Sequence, residues 1–181
     1  MIIGIAGKKR AGKDTIARFL IEEYGYTRCA FGDPVKEMAL VIDPHLWVQE
    51  EGVWCFLSSL VNEYGWEEAK KYYAVREFLQ TLGTEACRGI LGEDCWIRAL
   101  DKHIEDNDLR DVVISDVRFS NESTYCNAII EVRAPWTDST DTHASEQGFE
   151  HGGWIIENNG TIEELKQEVR SVMTQILATQ D

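Results

Sequence analysis

The chain opens with MIIGIAGKKRAGKDT, residues 1–15, and this stretch decides the fold. Residues 1–6 form a short, almost wholly apolar run that predicts a buried strand, and residues 15–24 place apolar side chains at helical spacing. Between the two lies G-x-x-x-x-G-K, from Gly7 to Lys13, which in a strand–loop–helix setting is typical of a phosphate-binding loop. The backbone N–H groups of such a loop face an anion, and Lys13 adds a point charge. The stretch therefore predicts an α/β domain that binds phosphate groups.

Positive charge is concentrated in this loop, with four Lys or Arg in residues 7–15, although the chain has a formal net charge of -14. A bound anion explains the local excess, and the alternative is a glycine-rich turn with a solvated basic rim. For Lys8 and Arg10 taken singly, nucleotide contact and simple solvation both stay open. Asp14 stands where such loops usually carry Ser or Thr, and beside a bound phosphate it requires Mg2+ or Thr15 nearby.

Composition limits the remaining functions. The length of 181 residues and the hydrophobic content of 44% predict one soluble globular domain with a real core. The acidic balance argues against a broad nucleic-acid or membrane surface, and no apolar run reaches the ~20 residues that span a bilayer. The five cysteines, an odd number without CxxC spacing, predict reduced thiols and neither a disulfide framework nor a zinc site. With a strand in place of a signal peptide at the start, these features predict a cytosolic protein.

Short apolar runs alternate with helical patterns along the chain. The predicted strands are residues 1–6, 27–31, 112–117, 128–132 and 154–157. The predicted helices are residues 15–24, 34–41, 75–91, 95–104 and a final helix that ends near 177 and is opened by a T-x-x-E capping box; residues 43–74 are also interpreted as helical. Residues 134–153 have little periodicity and predict a long loop or lid. This order predicts a doubly wound α/β domain with a mostly parallel sheet.

A polar strip on the predicted helix of residues 75–91 is the candidate second binding face. Arg76, Gln80, Thr84 and Arg88 recur every four residues, and on an α-helix they sweep an arc of about 120°. Two guanidinium groups together with neutral polar groups suit a phosphate and a base. The alternative is the solvated side of an ordinary amphipathic helix.

The segment VVISDVRFSNE, residues 112–122, supplies a third cluster of polar residues. Its apolar residues deliver Asp116 to the C-terminal end of a strand, where the ligand sites of α/β sheets lie, and Arg118, Asn121 and Glu122 follow at once. Asp116 is thus placed to act on Mg2+ directly or through water. The alternative is a strand-end aspartate that caps the next turn.

Together these blocks resemble the deoxynucleoside monophosphate kinases of bacteriophages. The resemblance rests on GKKRAGKDT at 7–15, FGDPVK at 31–36, REFLQTLGTEACR at 76–88, EDCWIRAL at 93–100, SDVRFSNE at 115–122, HASE at 143–146 and NNGTIEEL at 158–165. It covers nearly the whole chain in order, apart from residues 43–74. It implies a P-loop fold of the nucleoside monophosphate kinase type, with a mostly parallel central sheet flanked by helices and with lid and acceptor-binding insertions. It also implies ATP with Mg2+ as the donor and a deoxynucleoside monophosphate as the acceptor.

The resemblance further implies a role for individual residues. The ATP phosphates would be held by Gly7, Lys8, Arg10, Ala11, Gly12, Lys13, Asp14 and Thr15, and Mg2+ by Asp14, Thr15 and Asp116. The acceptor would be bound by Asp33, Lys36, Arg76, Gln80, Thr84, Arg88, Trp96, Asn121, Glu122 and Glu146. The catalytic groups would be Lys13, Asp116, Arg118, which bridges phosphates, and Arg133, which opens the lid-like segment. One kinase domain would span residues 1–181, with its acceptor-binding region at about 33–100.

The implied chemistry needs no general base, because a monophosphate oxygen at neutral pH is already an anionic nucleophile. Arginines, a lysine and Mg2+ are sufficient to align and neutralise two phosphates that repel each other. Two alternatives stay open: another small-molecule P-loop kinase resembling animal-type phosphomevalonate kinase, and an NTP-hydrolysing switch or assembly ATPase. A catalytically idle binding module is disfavoured because Lys13 and Asp116 are both present.

The expected partners are small molecules, ATP and a deoxynucleoside monophosphate, without direct binding of nucleic acid or membrane. The expected compartment is the cytosol, that of the host if the chain is phage-encoded. The sequence leaves open which monophosphates are accepted and whether the chain forms a homodimer.

Overall fold

The computed structural model describes residues 1–137 and 152–179. The chain divides into two compact units, one formed by Met1–Phe31 and Asp101–Asp181 and the other by Gly32–Leu100. The second unit has nearly the same bounds as the acceptor-binding region that the sequence predicts at about 33–100. That one kinase domain spans the whole chain stays a prediction. Most of the predicted lid-like segment, including Glu146, lies outside the described residues.

The strands of the described residues are β1 (Ile2–Ala6), β2 (Thr27–Cys29), β3 (His45–Val48), β4 (Val53–Phe56), β5 (Val112–Val117), β6 (Ala128–Arg133) and β7 (Trp154–Glu157). In the first unit, five of them form a sheet of order β2-β5-β1-β6-β7, in which every neighbouring pair is parallel. Parallel strands are covered on both faces, which explains their continuous apolar runs. Ile3, Ile5 and Ile114 are fully buried. The predicted strands and the parallel sheet are confirmed.

One strand is shorter than predicted, because β2 ends at Cys29 and the prediction ran to residue 31. The backbone N–H of Phe31 donates to Oδ1 of Asp116 at 2.8 Å and not to a neighbouring strand. The chain therefore leaves the sheet directly after Cys29.

The helices are α1 (Lys13–Tyr24), α2 (Gly32–Ile42), α3 (Leu57–Ala69), α4 (Tyr73–Gln80), α5 (Gly89–Leu91), α6 (Cys95–Asp106), α7 (Ser120–Tyr125) and α8 (Ile162–Ala178), with a π-helix at Thr81–Arg88 between α4 and α5. In the first unit α1 and α8 share a core with the sheet through Phe19, Leu20 and Met173. The predicted capping box is confirmed, because Thr161 Oγ1 accepts from the backbone N–H of Glu164 and Glu164 Oε2 accepts from that of Thr161. These two hydrogen bonds fix the start of α8.

The helical interpretation of residues 43–74 is wrong for its first part, where β3 and β4 form an antiparallel hairpin that pairs Trp47 with Trp54. The four-residue connection ends at Gly52, which has a φ of 66°. The sequence HLWV-QEEG-VWCF carries β-branched and aromatic residues on either side of this turn, a pattern that favours a hairpin over a helix. Only the later part is helical, as α3.

The helix predicted at 75–91 is present, but its middle is a π-helix. A π-helix has i→i+5 hydrogen bonds and a wider turn than an α-helix, and it occurs frequently at functional sites. In an α-helix each four-residue step overshoots a full turn by about 40°, whereas in the wider turn of a π-helix four residues fall short of a full turn. The regular 120° arc of the sequence prediction therefore does not continue beyond Gln80.

All five cysteines are free, as the sequence predicts. Burial raises the pKa of Cys126 to about 12, with a further contribution from the charges of Glu122 and Asp116, so this thiol stays protonated at neutral pH. Within the part of the chain that the structure describes, no helix combines the length and the apolar character that crossing a membrane requires.

Candidate active site

The loop between β1 and α1 has a backbone that only glycine tolerates at both ends of its motif. Gly7 and Gly12 have φ values of 137° and 111°. A Cβ at Gly7 would lie 2.4 Å from the backbone oxygen of Val132, and one at Gly12 would lie 2.6 Å from Nδ2 of Asn158. Both glycines are therefore required by conformation and by space.

Lys13 lies at the start of α1 and folds back over the loop. Its Nζ donates to the backbone oxygens of Gly7 at 2.7 Å and Lys8 at 2.8 Å. These two bonds place the ammonium group at the N-terminus of a helix, where the partial positive charge of the helix also favours an anion. Lys13 is the cation that this loop geometry holds in place.

The other predicted loop residues differ in exposure. Ala11 is fully buried, and its backbone N–H donates to the oxygen of Lys8 at 3.1 Å. Lys8, Arg10 and Asp14 are exposed, and Thr15 is half-buried in the first turn of α1. Arg10 has a φ of 66°, an uncommon value for a residue with a Cβ. The strain at this position shows that neighbouring contacts define the course of the loop.

Two residues that the sequence did not single out hold the loop from its outer side. Asn158, directly after β7, donates from Nδ2 to the oxygen of Ala11 at 2.8 Å. Trp136 donates from Nε1 to the oxygen of Arg10 at 3.2 Å. In the sequence Asn158 stands in NNGTIEEL, and an asparagine before a capping box is an ordinary loop residue, so the sequence offers no signal for this contact.

Asp116 lies near the loop in the sheet. Its neighbour Val117 pairs with Ala6, the residue that ends β1 and precedes the loop, and paired strands lie about 4.8 Å apart. Oδ1 of Asp116 accepts the backbone N–H of Phe31, which fixes the orientation of the carboxylate. The structure thus brings Asp116 to the edge of the sheet from which the loop starts.

Three of the predicted residues carry oxygen atoms of the kind that Mg2+ binds. This ion takes oxygen ligands and is usually held by one or two carboxylates together with phosphate oxygens. Asp14, Thr15 and Asp116 supply such oxygens, and among residues 1–137 and 152–179 no group of three or more His, Cys, Asp or Glu could hold a metal by itself. A shared role of the three residues at one Mg2+ stays a prediction.

The segment after β5 is organised by Glu122, which is only 2% exposed. Its Oε2 accepts the backbone N–H groups of Arg118 at 2.7 Å and Phe119 at 3.2 Å. The buried carboxylate thus caps the start of α7 and fixes the backbone of Arg118, whose side chain is exposed, while Asn121 is half-buried on α7.

Arg133 ends β6, directly after Val132, whose oxygen lies against Gly7. Its Nε and Nη2 each donate to a carboxylate oxygen of Glu131 at 2.9 Å. This two-bond pair raises the pKa of Arg133 above its usual value. The guanidinium therefore lies at the loop edge of the sheet, paired with a carboxylate of its own strand.

The second unit carries its predicted residues on α2, α4 and the π-helix. Lys36 and Asp33 pair within the first turn of α2, with Nζ and Oδ1 at 3.0 Å. The ideal Cβ position of Gly83 lies 3.6 Å from Val35, so the start of α2 packs against the π-helix. The strip residues comprise exposed Arg76 and Gln80 and half-buried Thr84 and Arg88.

Trp96 is a core residue of this unit, with 4% exposure. Its Nε1 donates to the backbone oxygen of Gly83 at 2.7 Å. Gly83 lies between Gln80 and Thr84, so the indole supports the π-helix from within the core. Trp96 thus contacts the π-helix, which carries Thr84 and Arg88 of the polar strip, through the backbone of Gly83.

A parallel sheet, a glycine-bounded loop between its first strand and first helix, and a lysine folded over that loop define a P-loop protein of the α/β class. Among solved structures, TT1252 from Thermus thermophilus matches with a TM-score of 0.54 and 18% identity, and the match covers 97% of both chains. This likeness shows a shared fold.

The sequence matches the family model "Deoxynucleotide monophosphate kinase" over residues 57–169. A protein of Acanthamoeba polyphaga mimivirus named "Putative deoxynucleotide monophosphate kinase" is 30% identical over 94% of this chain and 95% of its own. The "Deoxynucleotide monophosphate kinase" of Enterobacteria phage T4 is 24% identical over 95% of this chain and 98% of its own. The chain belongs to the deoxynucleotide monophosphate kinase family. The predicted resemblance and the kinase class are confirmed.

Proposed function

We propose that this chain transfers the γ-phosphoryl group of ATP to a deoxynucleoside monophosphate, giving ADP and the deoxynucleoside diphosphate for DNA precursor synthesis. The observation that carries the proposal is the loop at residues 7–15, in which two required glycines and the bonds of Lys13 form an anion site at a helix N-terminus. Membership of the family supports the choice of acceptor.

The donor is assigned to the first unit. Its phosphates are held by the loop from Gly7 to Thr15, with Lys13 supplying charge, and the metal by Asp14, Thr15 and Asp116. Mg2+, when bound, neutralises charge on the β- and γ-phosphates. The fixed orientation of Asp116 by the N–H of Phe31 supports its place in this set.

The acceptor is assigned to the second unit, with Asp33, Lys36, Arg76, Gln80, Thr84 and Arg88 as its candidate contacts and Trp96 as their support from the core. Two guanidiniums and a lysine suit a dianionic phosphate, because arginine binds phosphate in a bidentate manner. The acceptor contact predicted for Asn121 stays a prediction, whereas the burial of Glu122 and its bonds to the backbone of Arg118 and Phe119 favour a role in holding that segment. The contact predicted for Glu146 stays a prediction.

The chain's own residues have an electrostatic task in this reaction. The attacking oxygen of the acceptor is already negative, so cations must offset its repulsion from the γ-phosphate, and no side chain has to remove a proton. Lys13, Arg118 and Arg133 are the candidate cations of the first unit. To contact a phosphate, Arg133 has to exchange its two hydrogen bonds with Glu131, a carboxylate that is 24% exposed, for bonds to a phosphate oxygen.

The alternatives lead to different reactions and can be separated by one coupled assay of ADP release. We expect release with at least one deoxynucleoside monophosphate and little without an acceptor, in a panel that includes ribonucleotides and phosphomevalonate. Hydrolysis that is independent of any acceptor would indicate a switch or assembly ATPase, and activity with phosphomevalonate alone would indicate the other kinase.

The matched variants for this assay are Lys13→Ala and Lys102→Ala. Lys13→Ala should lower turnover by about 100-fold or more, since a preorganised charge on the reacting phosphates is lost. Lys102 is exposed and pairs only locally with Asp106, so its removal should leave turnover unchanged. Near-normal turnover of Lys13→Ala, with its fold intact by circular dichroism, would refute the assigned donor site.

The proposed compartment is the cytoplasm. Five free thiols support a reducing environment, and both assigned substrates are small cytoplasmic molecules.

A further inference from the structure

Specific side-chain donors hold carbonyl oxygens of the loop. Lys13 holds the oxygens of Gly7 and Lys8, Trp136 holds that of Arg10, and Asn158 holds that of Ala11. A backbone oxygen carries partial negative charge and would repel a phosphate, so an anion site needs its carbonyls directed elsewhere. The last of these contacts has the most direct geometric effect.

Asn158, which directly follows β7, connects the end of β6 to the loop. Its backbone N–H donates to the oxygen of Arg133 at 2.7 Å, which anchors the residue at the end of β6. From this anchored position its Nδ2 reaches the oxygen of Ala11 at 2.8 Å. The residue is therefore attached to β6 through its backbone and to the loop through its side-chain amide.

The bond to Ala11 sets the direction of the next N–H group. In a planar trans peptide the C=O and the N–H point in opposite directions. Because the Ala11 oxygen points at Asn158, the N–H of Gly12 points away from it. A Cβ at Gly12 would meet Asn158 and, at 3.8 Å, Leu165, so protein fills the side that faces Asn158, and the N–H of Gly12 is directed to the opposite side.

The residue type matters at position 12 and at position 158. The amide of Asn158 occupies the space that a side chain at Gly12 would need, 2.6 Å from the ideal Cβ. An aspartate at 158 would have the same size but would offer an oxygen to the Ala11 oxygen, so two acceptors would face each other, and it would add a negative charge beside the loop.

We propose that Asn158 is a positioning residue of the donor site, whose amide holds the Ala11–Gly12 peptide so that the Gly12 N–H is presented to the phosphates of the nucleotide. This inference rests on the proposed function only for the identity of the nucleotide. It goes beyond that function because it assigns the orientation of the loop to a residue on a distant part of the sequence.

The test measures ATP binding directly, by isothermal titration calorimetry with Mg2+ and without an acceptor. Asn158→Ala should weaken ATP binding by about tenfold, the loss expected for one directed hydrogen bond. The isosteric Asn158→Asp should weaken it further, because it adds repulsion. Inorganic tripolyphosphate, used as a second probe, should lose affinity in the same order, since the effect concerns phosphates and not the base.

The matched controls are Asn159→Ala and Asn159→Asp, which change the same side chain one residue further along, at an exposed position. The stoichiometry of the titration reports the folded fraction, so partial unfolding lowers the number of sites and leaves the affinity of the folded molecules readable. In turnover assays the Michaelis constant for ATP should rise and that for the acceptor should not.

ATP affinity of both Asn158 variants within twofold of the Asn159 controls would overturn the proposal. An equal rise of both Michaelis constants would also overturn it, because it would indicate a general structural role. A wild-type protein that binds ATP but phosphorylates no deoxynucleoside monophosphate would contradict the proposed function alone and leave the role of Asn158 in place.

Discussion

The hydroxyl of Tyr26 is buried without a hydrogen-bond partner among the described residues, although its ring, 5% exposed, packs in the main core. A buried polar group without a partner lowers the free energy of unfolding. We therefore expect Tyr26→Phe to keep the stability at pH 7 or to raise it by up to about 1 kcal/mol, since the ring packing is retained. Urea unfolding of the two proteins measures the difference. Destabilisation of the variant would show that the hydroxyl has a partner after all.

The same residue gives an expectation for alkaline pH. Burial, with a smaller effect of the Asp111 charge, raises the pKa of Tyr26 from 10.0 to about 12. Because the folded protein favours the neutral form, this contribution to stability is complete below pH 10 and is lost as the pH rises toward 12. The wild type should therefore lose more stability between pH 10 and 12 than Tyr26→Phe does. All other tyrosines are common to both proteins and cancel in the comparison.

At the level of single residues, the sequence predicted those sites whose residue type is itself diagnostic. Gly7, Gly12 and Lys13 stand at fixed spacing after a strand, and the positive φ values explain why glycine is needed there. Asn158 and Trp136 act through hydrogen bonds to backbone oxygens, and such contacts depend on tertiary placement and leave no local pattern. For the same reason the burial of Glu122 was not visible in SDVRFSNE.

At the level of elements, the π-helix Thr81–Arg88 depends on Trp96 for its support. Trp96→Phe keeps an aromatic ring in the core but removes the donor to the Gly83 oxygen. We expect a loss of about 1–3 kcal/mol in the free energy of unfolding, because a part-buried hydrogen bond is removed and the smaller ring fills less of the core. If the strip binds the acceptor, the Michaelis constant for the monophosphate should also rise severalfold while that for ATP stays the same.

The comparison variants for this experiment are Trp47→Phe and Arg76→Ala. Trp47 is 44% exposed on β3, so its change to Phe should alter neither quantity. Arg76→Ala removes a strip residue directly and should raise the same Michaelis constant without a large loss of stability. If Trp96→Phe raised the Michaelis constant for ATP and left that for the monophosphate unchanged, the assignment of the strip to the acceptor would be contradicted.

The elements also show what sequence patterns could not decide. β5, at Val112–Val117, and β7, at Trp154–Glu157, were predicted with their observed bounds, because short apolar runs between polar segments suit a buried parallel strand. The hairpin of β3 and β4 is predicted as helix although its β-branched and aromatic residues favour strands, because the exposed Trp47 and Trp54 blur the alternation of apolar and polar residues. The π-helix was predicted as α-helix, because both have similar local composition.

For the whole molecule, the formal net charge of -14 sets an expectation about nucleic acids. The positive charge of the loop at 7–15 is local, and binding of duplex DNA requires several phosphate contacts spread over a basic surface. We expect no binding of a labelled DNA duplex at physiological salt and micromolar protein, as measured by fluorescence anisotropy. Salt-dependent binding under these conditions would contradict the prediction that the partners are small molecules only.

Trp136 gives the loop at residues 7–15, which we assign to the donor, an optical signal of its own. Its ring is 56% exposed, and its indole N–H is bonded to the backbone of Arg10. Indole emission responds to both hydration and hydrogen bonding, so a nucleotide that shifts this carbonyl or shields the ring changes the fluorescence without any attached dye. The chain has six tryptophans, and subtraction of the Trp136→Phe spectrum isolates this one. Rapid mixing with nucleotide would then follow the filling and emptying of the loop in time.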